Sequence, residues 1–209
     1  QTPDVQAFLE LRQDGTARLL SPFIEGGQGI FTALAQIVGE ELDLAPSQFT
    51  VESAPAGNPY GLMGGFRLTG GSASTRTSYP IMRQLGASAR AMLIEAAAQE
   101  WGVDASELTT EPGAVLHNAS GRRAGYGELA TAAMDMPVPA DVTLRDPSEF
   151  RWIRSPEPRL DIHEKSTGQA KYGIDVEVEG MLLAAVKHAP RLCLSAGAVV
   201  NREDIEAMR

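Results

Sequence analysis

The sequence contains very few of the side chains that bind metals or form disulfides. Its one cysteine, Cys193, cannot form a disulfide within the chain. The three histidines, His117, His163 and His188, are scattered along the sequence, and no second cysteine accompanies them. A zinc site built from protein side chains alone is therefore not expected. Any transition-metal chemistry must depend on a bound cofactor.

Positive charge is also scarce in this sequence. Eighteen Lys and Arg residues stand against 27 Asp and Glu residues, which gives a net charge of −9, and no basic stripe runs along the chain. Such a surface repels a phosphate backbone instead of attracting it. We therefore expect no nucleic-acid partner.

Long apolar runs are missing as well. No run reaches the roughly 18 residues that suggest a membrane span. The first four residues, QTPD, lack the charged-then-apolar order of a signal peptide. We expect that any targeting segment has been removed or never existed, and that the location is periplasmic or cytoplasmic.

Glycine and proline, in contrast, are abundant. The chain has 21 glycines and 13 prolines, more than the about 12% that the two residues usually contribute together. Because 43% of the residues are apolar and 22% are charged, the chain is expected to fold and not to remain disordered. The surplus indicates many turns, and loops whose backbone approaches another group closely.

Hydrophobic periodicity predicts a mixture of strands and helices. In chain order we predict a β-hairpin over 7–20, a helix over 30–42, a strand over 48–53, a helix over 81–101, a β-hairpin over 114–125 and a short helix over 127–134. This order predicts an α+β fold, in which a mixed β-sheet packs against helices. Within the helices, Glu40, Glu41 and Glu100 are interpreted as solvated charges, and Met82 and Met92, together with Met63, as core filling.

Five prolines fall within residues 137–158, and we interpret this segment as a linker, because proline fixes φ and cannot donate to a β-ladder. Beyond it, the pattern predicts strands over 170–176 and 181–189, separated by a turn. A helix is expected to start after Asn201, which is a favourable capping residue.

The segment Glu25–Gly29, with sequence EGGQG, precedes the predicted helix over 30–42. Glycines let backbone N–H groups approach a ligand, and the positive end of a helix dipole favours an anion, so this segment is a candidate anion or cofactor cradle. The Gln28 amide could read the edge of a heterocycle. The spacing matches neither the dinucleotide fingerprint nor the P-loop, and a tight turn into a helix is the simpler interpretation.

A second small-residue segment, TGGSAST over 69–75, precedes the alanine-rich helix. It offers hydroxyls and backbone amides at another helix start. Two such segments in one short chain suggest two walls of a site for a phosphate-bearing ligand. The alternative is that both segments are ordinary helix caps.

Several motifs in the same order resemble the molybdopterin-binding subunit of the xanthine dehydrogenase/aldehyde oxidase family, in the branch of the isoquinoline 1-oxidoreductase beta subunit. The matching segments are GGQG with TALAQIVGEEL (26–42), TGGSASTR (69–76), MRQLGASARAML (82–93), AAAQEWGV (96–103), YGELA (126–130), LRDP (144–147), RLD (159–161), KSTGQAKYGIDV (165–176) and GMLLA (180–184). The resemblance covers nearly the whole chain.

The resemblance implies seven cofactor-binding residues. Gly27, Gln28 and Gly29 match the family's Met-Gly-Gln-Gly loop. The residues that match its serine-rich loop are Gly71, Ser72, Ser74 and Thr75. The cofactor implied is molybdopterin cytosine dinucleotide. Gly26 stands where the family has methionine, which removes the apolar packing expected there.

The resemblance also implies a domain plan and a reaction. Residues 1–136 are expected to form a molybdopterin-binding segment, 137–158 the linker, and 159–209 the start of an α/β hammerhead domain. The family hydroxylates an electron-poor carbon with oxygen from water, and a glutamate is the general base. No residue here matches the motif of that glutamate, so we expect neither a catalytic residue nor a metal ligand in this chain.

Three hypotheses follow for the function. The leading one is that the chain is the N-terminal part of a molybdenum hydroxylase large subunit that acts on an N-heterocycle or an aldehyde, is inactive alone, and has a partner subunit carrying iron–sulfur clusters. The second is a non-catalytic scaffold or interaction module with structural glycine loops. The third is a self-contained domain that binds a phosphate-bearing ligand. A homodimer is compatible with each.

Overall fold

The structure is a computed structural model that describes residues 8–55, 60–61, 66–186, 188 and 201–207. Two units are distinguished along the chain, Gln1–Gln169 and Ala170–Arg209. The first unit contains both sheets and the hydrophobic core. The mixture of sheet and helices confirms the predicted α+β class.

The first sheet has three strands in the order β1-β2-β3, namely β1 (Leu9–Leu11), β2 (Ala17–Ser21) and β3 (Phe49–Ser53). The strands β1 and β2 form an antiparallel hairpin that confirms the prediction over 7–20. The strand β3 is parallel to β2, with Ala17 opposite Phe49. Parallel neighbours need a crossover, and helix α1 (Ile30–Leu42) provides it. The predicted helix over 30–42 is confirmed.

Helix α2 (Ser74–Trp101) packs against α1 and ends at Gly102, which has a φ of 66°. It begins seven residues earlier than the predicted start at residue 81, so that start was wrong. The prediction began at residue 81 because the apolar stripe starts at Met82. The structure supports the turn before Pro80 with side chains: the hydroxyls of Thr77 and Ser78 donate to the carbonyls of Ala73 and Ser74, each at 2.7 Å.

The crossing of α1 and α2 is close because it contains glycine. A Cβ atom on Gly86 would clash with the carbonyl oxygen of Val38 and would lie 2.9 Å from the Cβ of Glu41. Away from this crossing, a Cβ atom on Gly39 would clash with the carbonyl oxygen of Leu44, just after α1. Around this crossing lie the buried side chains of the core, including Met82 and Met92 as predicted; Met63 lies outside the described residues.

The second sheet is an antiparallel meander of β4 (Thr109–Glu111), β5 (Ala114–His117) and β6 (Arg122–Gly125). The hairpin of β5 and β6 was predicted, whereas β4 was missed because three polar residues give no alternating pattern. Helix α3 (Tyr126–Met134) follows directly and confirms the predicted helix over 127–134 within one residue. The buried Tyr126 hydroxyl donates to the carbonyl of Leu42 at 2.7 Å.

The acidic residues at the end of α1 are buried, which corrects the expectation that Glu40 and Glu41 are solvated. Both side chains are fully buried, and Asp43 beside them is also buried. The Glu41 carboxylate accepts a hydrogen bond from Arg83 Nε at 2.7 Å. Asp43 accepts one from Arg151 Nη1 at 2.6 Å. Burial of these charges is possible because each one is paired.

The carboxylate of Glu40 holds a distant segment of backbone. It accepts hydrogen bonds from the backbone N–H groups of Arg151, Trp152 and Ile153 at 2.7–3.0 Å. We call residues 145–161 the strap. Part of the strap lies within the segment 137–158 that was interpreted as a linker, and that interpretation stays a prediction.

The strands predicted in the second unit are wrong over the residues described there. Gly173–Asp175 forms a single 3-10 turn, and residues 181–186 have no regular structure. Ile174 and Leu183 are each 92% exposed, and a strand needs a neighbour to pair its backbone. The short helix α5 (Arg202–Glu206) confirms the start predicted after Asn201, although the Asn201 side chain makes no capping hydrogen bond. Another short helix, α4 (Ile162–Ser166), lies in the first unit.

Within the described part of the chain, every helix is too short or too polar to span a lipid bilayer.

Candidate functional site

Two loops that the sequence singled out lie on one cavity of about 600 Å³. We call residues 24–29 the glycine loop and residues 69–75 the serine loop. A hydrogen bond from the Ile24 N–H to Thr69 Oγ1, 2.9 Å long, joins them. The described lining is uncharged and consists of Ile24, Gly26, Gln28, Gly29, Ile30, Ala33, Thr69, Gly70, Ser72, Ser74 and Thr75.

The seven predicted cofactor-binding residues are not all equivalent in this cavity. The five that line it are Gln28, Gly29, Ser72, Ser74 and Thr75. Gly27 and Gly71 belong to the two loops but are absent from the lining, and both have positive φ, 106° and 60°. The structure therefore brings the two loops together, while their role toward a cofactor stays a prediction.

The carboxylate of Glu25 occupies the anion position at the N-terminus of α1. Its Oε1 accepts hydrogen bonds from the N–H groups of Gly27 at 2.8 Å and Gly29 at 3.0 Å, and its Oε2 accepts one from Phe31 at 3.2 Å. The Glu25 side chain is only 8% exposed. The structure thus differs from the expectation that these amides point toward a ligand, because the loop supplies its own anion.

The Gln28 side chain is also engaged within the glycine loop. Its Oε1 accepts a hydrogen bond from the Gly26 N–H at 2.7 Å, and its Nε2 donates to the Ile24 carbonyl at 2.8 Å. The amide therefore closes the loop and, at the same time, lines the cavity. The amide keeps a second N–H and a second oxygen lone pair, through which it could bond to a heterocycle.

The serine loop leads into α2 without a side-chain cap. Ala73 precedes the helix and cannot provide one. Ser74 and Thr75 form the first turn and face the cavity. The positive end of this 28-residue helix therefore lies beside hydroxyl groups on a wall without charged residues, which suits the anionic part of a ligand. Ser72 has a φ of 51°, an uncommon conformation for a residue with a side chain.

Sequence reasoning missed the groups that support the glycine loop from behind. They are the Glu25 carboxylate, Arg159 and Asp161 in the last part of the strap, and Lys165, which follows the strap. Glu25 was visible as an acidic residue shortly before a helix N-terminus, where negative charge is favourable. Nothing in the sequence indicated Arg159, because its contact with the loop spans 132 residues.

Glu25 should make folding stability depend on pH. Burial raises the pKa of its carboxyl, but the N–H donors of Gly29, Phe31 and Gly27 outweigh burial, so the pKa lies below the ordinary value of 4.5. A lowered folded-state pKa means that the carboxylate stabilises the fold above the unfolded pKa and that this contribution disappears as the pH falls through the folded pKa.

We therefore expect Glu25→Gln to be less stable than the wild type at about pH 7, with the difference shrinking steadily below about pH 4.5. Urea unfolding at a series of pH values measures it. Glu100→Gln, an exposed change on α2, is the control that should show no such trend. A difference that grew as the pH fell would contradict the assignment.

The two first glycines of the glycine loop should respond differently to alanine. Gly27 has a φ of 106°, whereas Gly26 lies outside the left-handed region, and a Cβ atom on Gly26 would meet only Gln28 Oε1, at 3.5 Å. We expect Gly27→Ala to cost about 1–2 kcal/mol of unfolding free energy and Gly26→Ala less than about 0.5 kcal/mol. Urea unfolding of both variants checks this, and equal losses would contradict it.

Gly26 stands where the resembled family has methionine, and the space around Gly26 shows whether a side chain would fit there. A side chain at this position can leave the loop at ordinary contact distance.

Over the residues that the structure describes, no group of three or more His, Cys, Asp and Glu side chains is arranged to hold a metal ion.

Comparison with known proteins gives a family match. The family model described as the molybdopterin cofactor-binding domain matches residues 1–181. The chain is 34% identical to isoquinoline 1-oxidoreductase subunit beta of Brevundimonas diminuta, in an alignment of 252 positions that covers 100% of this chain and 31% of that protein. It is 33% identical over 172 residues to the membrane-bound aldehyde dehydrogenase (pyrroloquinoline-quinone) of Gluconacetobacter polyoxogenes, covering 79% of this chain and 22% of that protein.

The chain thus spans less than a third of the length of these curated relatives. Among solved structures, it is similar to quinoline 2-oxidoreductase from Pseudomonas putida 86, with a TM-score of 0.47 and 22% identity over 65% of this chain and 17% of that chain.

Proposed function

Since this chain belongs to the molybdopterin cofactor-binding domain family, we propose that it supplies two walls of the molybdenum-cofactor site of a larger oxidoreductase. One observation carries the proposal: the glycine loop and the serine loop line a single cavity. The cavity volume of about 600 Å³ is within the range of about 300–1,000 Å³ that is usual for small-molecule sites.

The donors present on these walls fit a pterin dinucleotide. Ser74 and Thr75 lie at the uncapped start of α2, where hydroxyl groups, backbone amides and the helix dipole favour phosphate oxygens. On the opposite loop, Gln28 offers the second N–H and the free oxygen lone pair of its amide to a heterocycle, and Gly29 has no side chain to fill the space beside it. When bound, the cofactor supplies the redox-active metal, while these residues hold and orient it.

For the whole protein we propose hydroxylation of an N-heterocycle or an aldehyde with oxygen from water. The support comes from the names of the two relatives, one an isoquinoline oxidoreductase and the other an aldehyde dehydrogenase. The second name specifies pyrroloquinoline quinone. We nevertheless propose molybdopterin, because the family model describes that cofactor, and we propose its cytosine dinucleotide form from the resemblance of the sequence motifs.

Further proposals concern the setting of this activity. We propose the domain plan of a cofactor segment over 1–136, a linker over 137–158 and the start of a hammerhead domain within 159–209. The boundary between the two units after Gln169 falls inside the last range. We also propose a partner subunit with iron–sulfur clusters, since one relative is named as a subunit, and a periplasmic or cytoplasmic location.

The first test is metal content and activity of the purified 209-residue chain. We expect less than about 0.1 molybdenum atoms per chain and no turnover of isoquinoline or benzaldehyde, because no residue here matches the family's general base and two walls do not enclose a cofactor. Elemental analysis and a substrate-dependent dye-reduction assay measure both. Near-stoichiometric molybdenum with turnover would contradict the proposal of an incomplete site.

The second test locates ligand binding on the same chain. Cytidine 5′-diphosphate is the probe, since it carries the diphosphate and nucleoside portion of the proposed cofactor. In ¹⁵N-labelled protein we expect shifts of the amide signals of both loops, and none in the turn at 118–121. The double variant Ser74→Ala/Thr75→Val should abolish the shifts. Shifts confined to other regions, or none at about 10 mM probe, would contradict the proposal.

The scaffold hypothesis has one observation in its favour. The glycine loop satisfies its own N–H groups with Glu25 and Gln28, as a purely structural turn would. The variants Gln28→Ala and Ser72→Ala, placed in the complete subunit, discriminate the two. If both retain the molybdenum content of the wild type, the scaffold function is supported; a clear loss of molybdenum from a folded subunit supports the cofactor site.

A further inference from the structure

Arg159 reaches the glycine loop from the far end of the first unit. Its Nη1 donates to the carbonyl oxygen of Gly27 at 2.8 Å, and its Nη2 lies 3.4 Å from Glu25 Oε1. One guanidinium group therefore contacts both the backbone of the loop and the carboxylate that organises the amides of the loop. Gly29 is also close, since a Cβ atom there would lie 4.0 Å from Arg159 Nη1.

The Arg159 side chain is itself held in place. Asp161 accepts hydrogen bonds from its Nε at 2.9 Å and its Nη2 at 2.7 Å, which is a two-point contact that fixes the plane of the guanidinium. Lys165 forms an ion pair with the same carboxylate and lies 4.0 Å from Glu25 Oε1. The pKa of Asp161 is lowered, mainly by the hydrogen bonds from Arg159. The Nη1 group of Arg159, which Asp161 does not bind, is therefore directed toward the Gly27 carbonyl.

The strap delivers Arg159 to the loop along helix α1. Near its start the Glu40 carboxylate binds the backbone of residues 151–153. One turn earlier on α1, Gln36 Nε2 donates to the Trp152 carbonyl at 3.0 Å. One further turn toward the N-terminus, Thr32 Oγ1 accepts a hydrogen bond from the Leu160 N–H at 3.1 Å. The strap therefore follows α1 to the glycine loop and ends on it.

The glycine loop needs such external support. Gly27 has a φ of 106° and Gly29 one of 85°, and neither has a side chain to pack. Glycine loses more conformational freedom on ordering than any other residue. A loop that samples other conformations binds its ligand more weakly, in proportion to the fraction of time for which the competent form is populated.

We propose that Arg159 is a positioning residue that holds the glycine loop in its cofactor-receiving conformation. The proposal rests on the proposed function for the identity of the ligand, but the effect of Arg159 on the loop does not. Arg159 acts through the Gly27 carbonyl and Glu25, and it is absent from the described cavity lining.

The first arm of the test measures the loop without any ligand. In Arg159→Met we expect the amides of Gly29 and Phe31, which donate to Glu25, to exchange hydrogen at least about tenfold faster, while core amides of α1 and β2 keep their rates. The control is Arg123→Met, which breaks only the exposed pair of Arg123 with Glu111 and should leave the two loop amides unchanged. Unchanged exchange at Gly29 and Phe31 in Arg159→Met would overturn the proposal.

The second arm adds cytidine 5′-diphosphate. A positioning role predicts that Arg159→Met binds the probe about tenfold more weakly and that saturating probe restores the slow exchange of the Gly29 amide. Uniformly faster exchange throughout the unit, which the probe does not reverse, would mean a general structural role and would overturn the proposal.

Arg159→Lys keeps a donor for the Gly27 carbonyl and should recover part of both effects. If Arg159→Met fails to fold, Arg159→Gln, which removes the charge and is too short for both contacts, takes its place: loop-specific faster exchange supports the proposal, and wild-type exchange refutes it.

The two arms separate this inference from the proposed function. If the wild type does not bind the probe but Arg159→Met still loosens the loop selectively, the positioning role of Arg159 stands and the proposed ligand is wrong. If the wild type binds the probe but Arg159→Met leaves both affinity and exchange unchanged, the proposed function stands and the positioning role is wrong.

Discussion

Replacing Glu40 by alanine should lower the free energy of unfolding by about 3–5 kcal/mol, the loss that follows when one partner of a buried charged contact is removed. The carboxylate is fully buried and accepts hydrogen bonds from the N–H groups of three consecutive residues of the strap. Alanine leaves these part-buried donors without their acceptor, and an unsatisfied donor costs about 1–3 kcal/mol where it is buried.

Urea unfolding followed by tryptophan fluorescence measures this loss. Trp152 lies on the strap and Trp101 at the end of α2, so release of the strap alone should appear as an early change at Trp152. Glu40→Gln keeps one acceptor oxygen and should be damaged less than Glu40→Ala. The control is Glu100→Ala. Glu100 is exposed, as the sequence analysis expected of both Glu40 and Glu100, and its removal should change the unfolding free energy by less than about 0.5 kcal/mol. Equal effects of Glu40→Ala and Glu100→Ala would show that Glu40 is solvated.

Gly86→Ala should produce the other large loss of stability, about 2 kcal/mol or more. Alanine is the better helix former by about 1 kcal/mol, so propensity alone predicts a gain. The structure predicts the opposite sign, because the added Cβ would clash with the Val38 carbonyl and press against Glu41. Forcing apart a well-packed crossing costs about 1–3 kcal/mol and occasionally more, and here it also disturbs the buried pair of Glu41 with Arg83.

Thermal and urea unfolding of Gly86→Ala give the sign directly. Gly70→Ala is the matched control, since a Cβ there would meet only Leu68 Cδ1, at 3.8 Å, and its φ is not positive. We expect it to stay within about 0.5 kcal/mol of the wild type. A stabilised Gly86→Ala would mean that α1 and α2 are farther apart than the structure has them.

Several parts of the fold could be predicted from the sequence because their causes are local. The hairpin with its Asp14-Gly15 turn, helix α1 and the hairpin of β5 and β6 follow from periodicity and turn residues within about a dozen positions. The start of α2 was missed because the apolar stripe begins only at Met82, after a polar first turn. The strands expected over 170–176 and 181–189 depended on partners that the pattern cannot show.

Part of the candidate site could likewise be predicted from the sequence, and part could not. The sequence indicated two glycine- and serine-rich loops before two helices, and the structure places both on one cavity. The sequence did not indicate that the N–H groups of the glycine loop donate to Glu25 and Gln28 of the same loop. It also did not indicate that Arg159 supports this loop. The Arg159 contact depends on how the chain returns along α1, whereas the contacts of Glu25 and Gln28 are local and depend on the positive φ of Gly27 and Gly29.

By itself, the sequence determined the family, the α+β class and the two loops at helix starts, since motif order, periodicity and glycine content are properties of neighbouring residues. Only the tertiary structure decided which charges are buried and which amides remain for a ligand. Glu40 and Glu100 look alike as residues of a helix, yet one is buried and the other exposed. The difference arises because the N–H groups that stabilise the buried carboxylate of Glu40 come from residues more than 110 positions away.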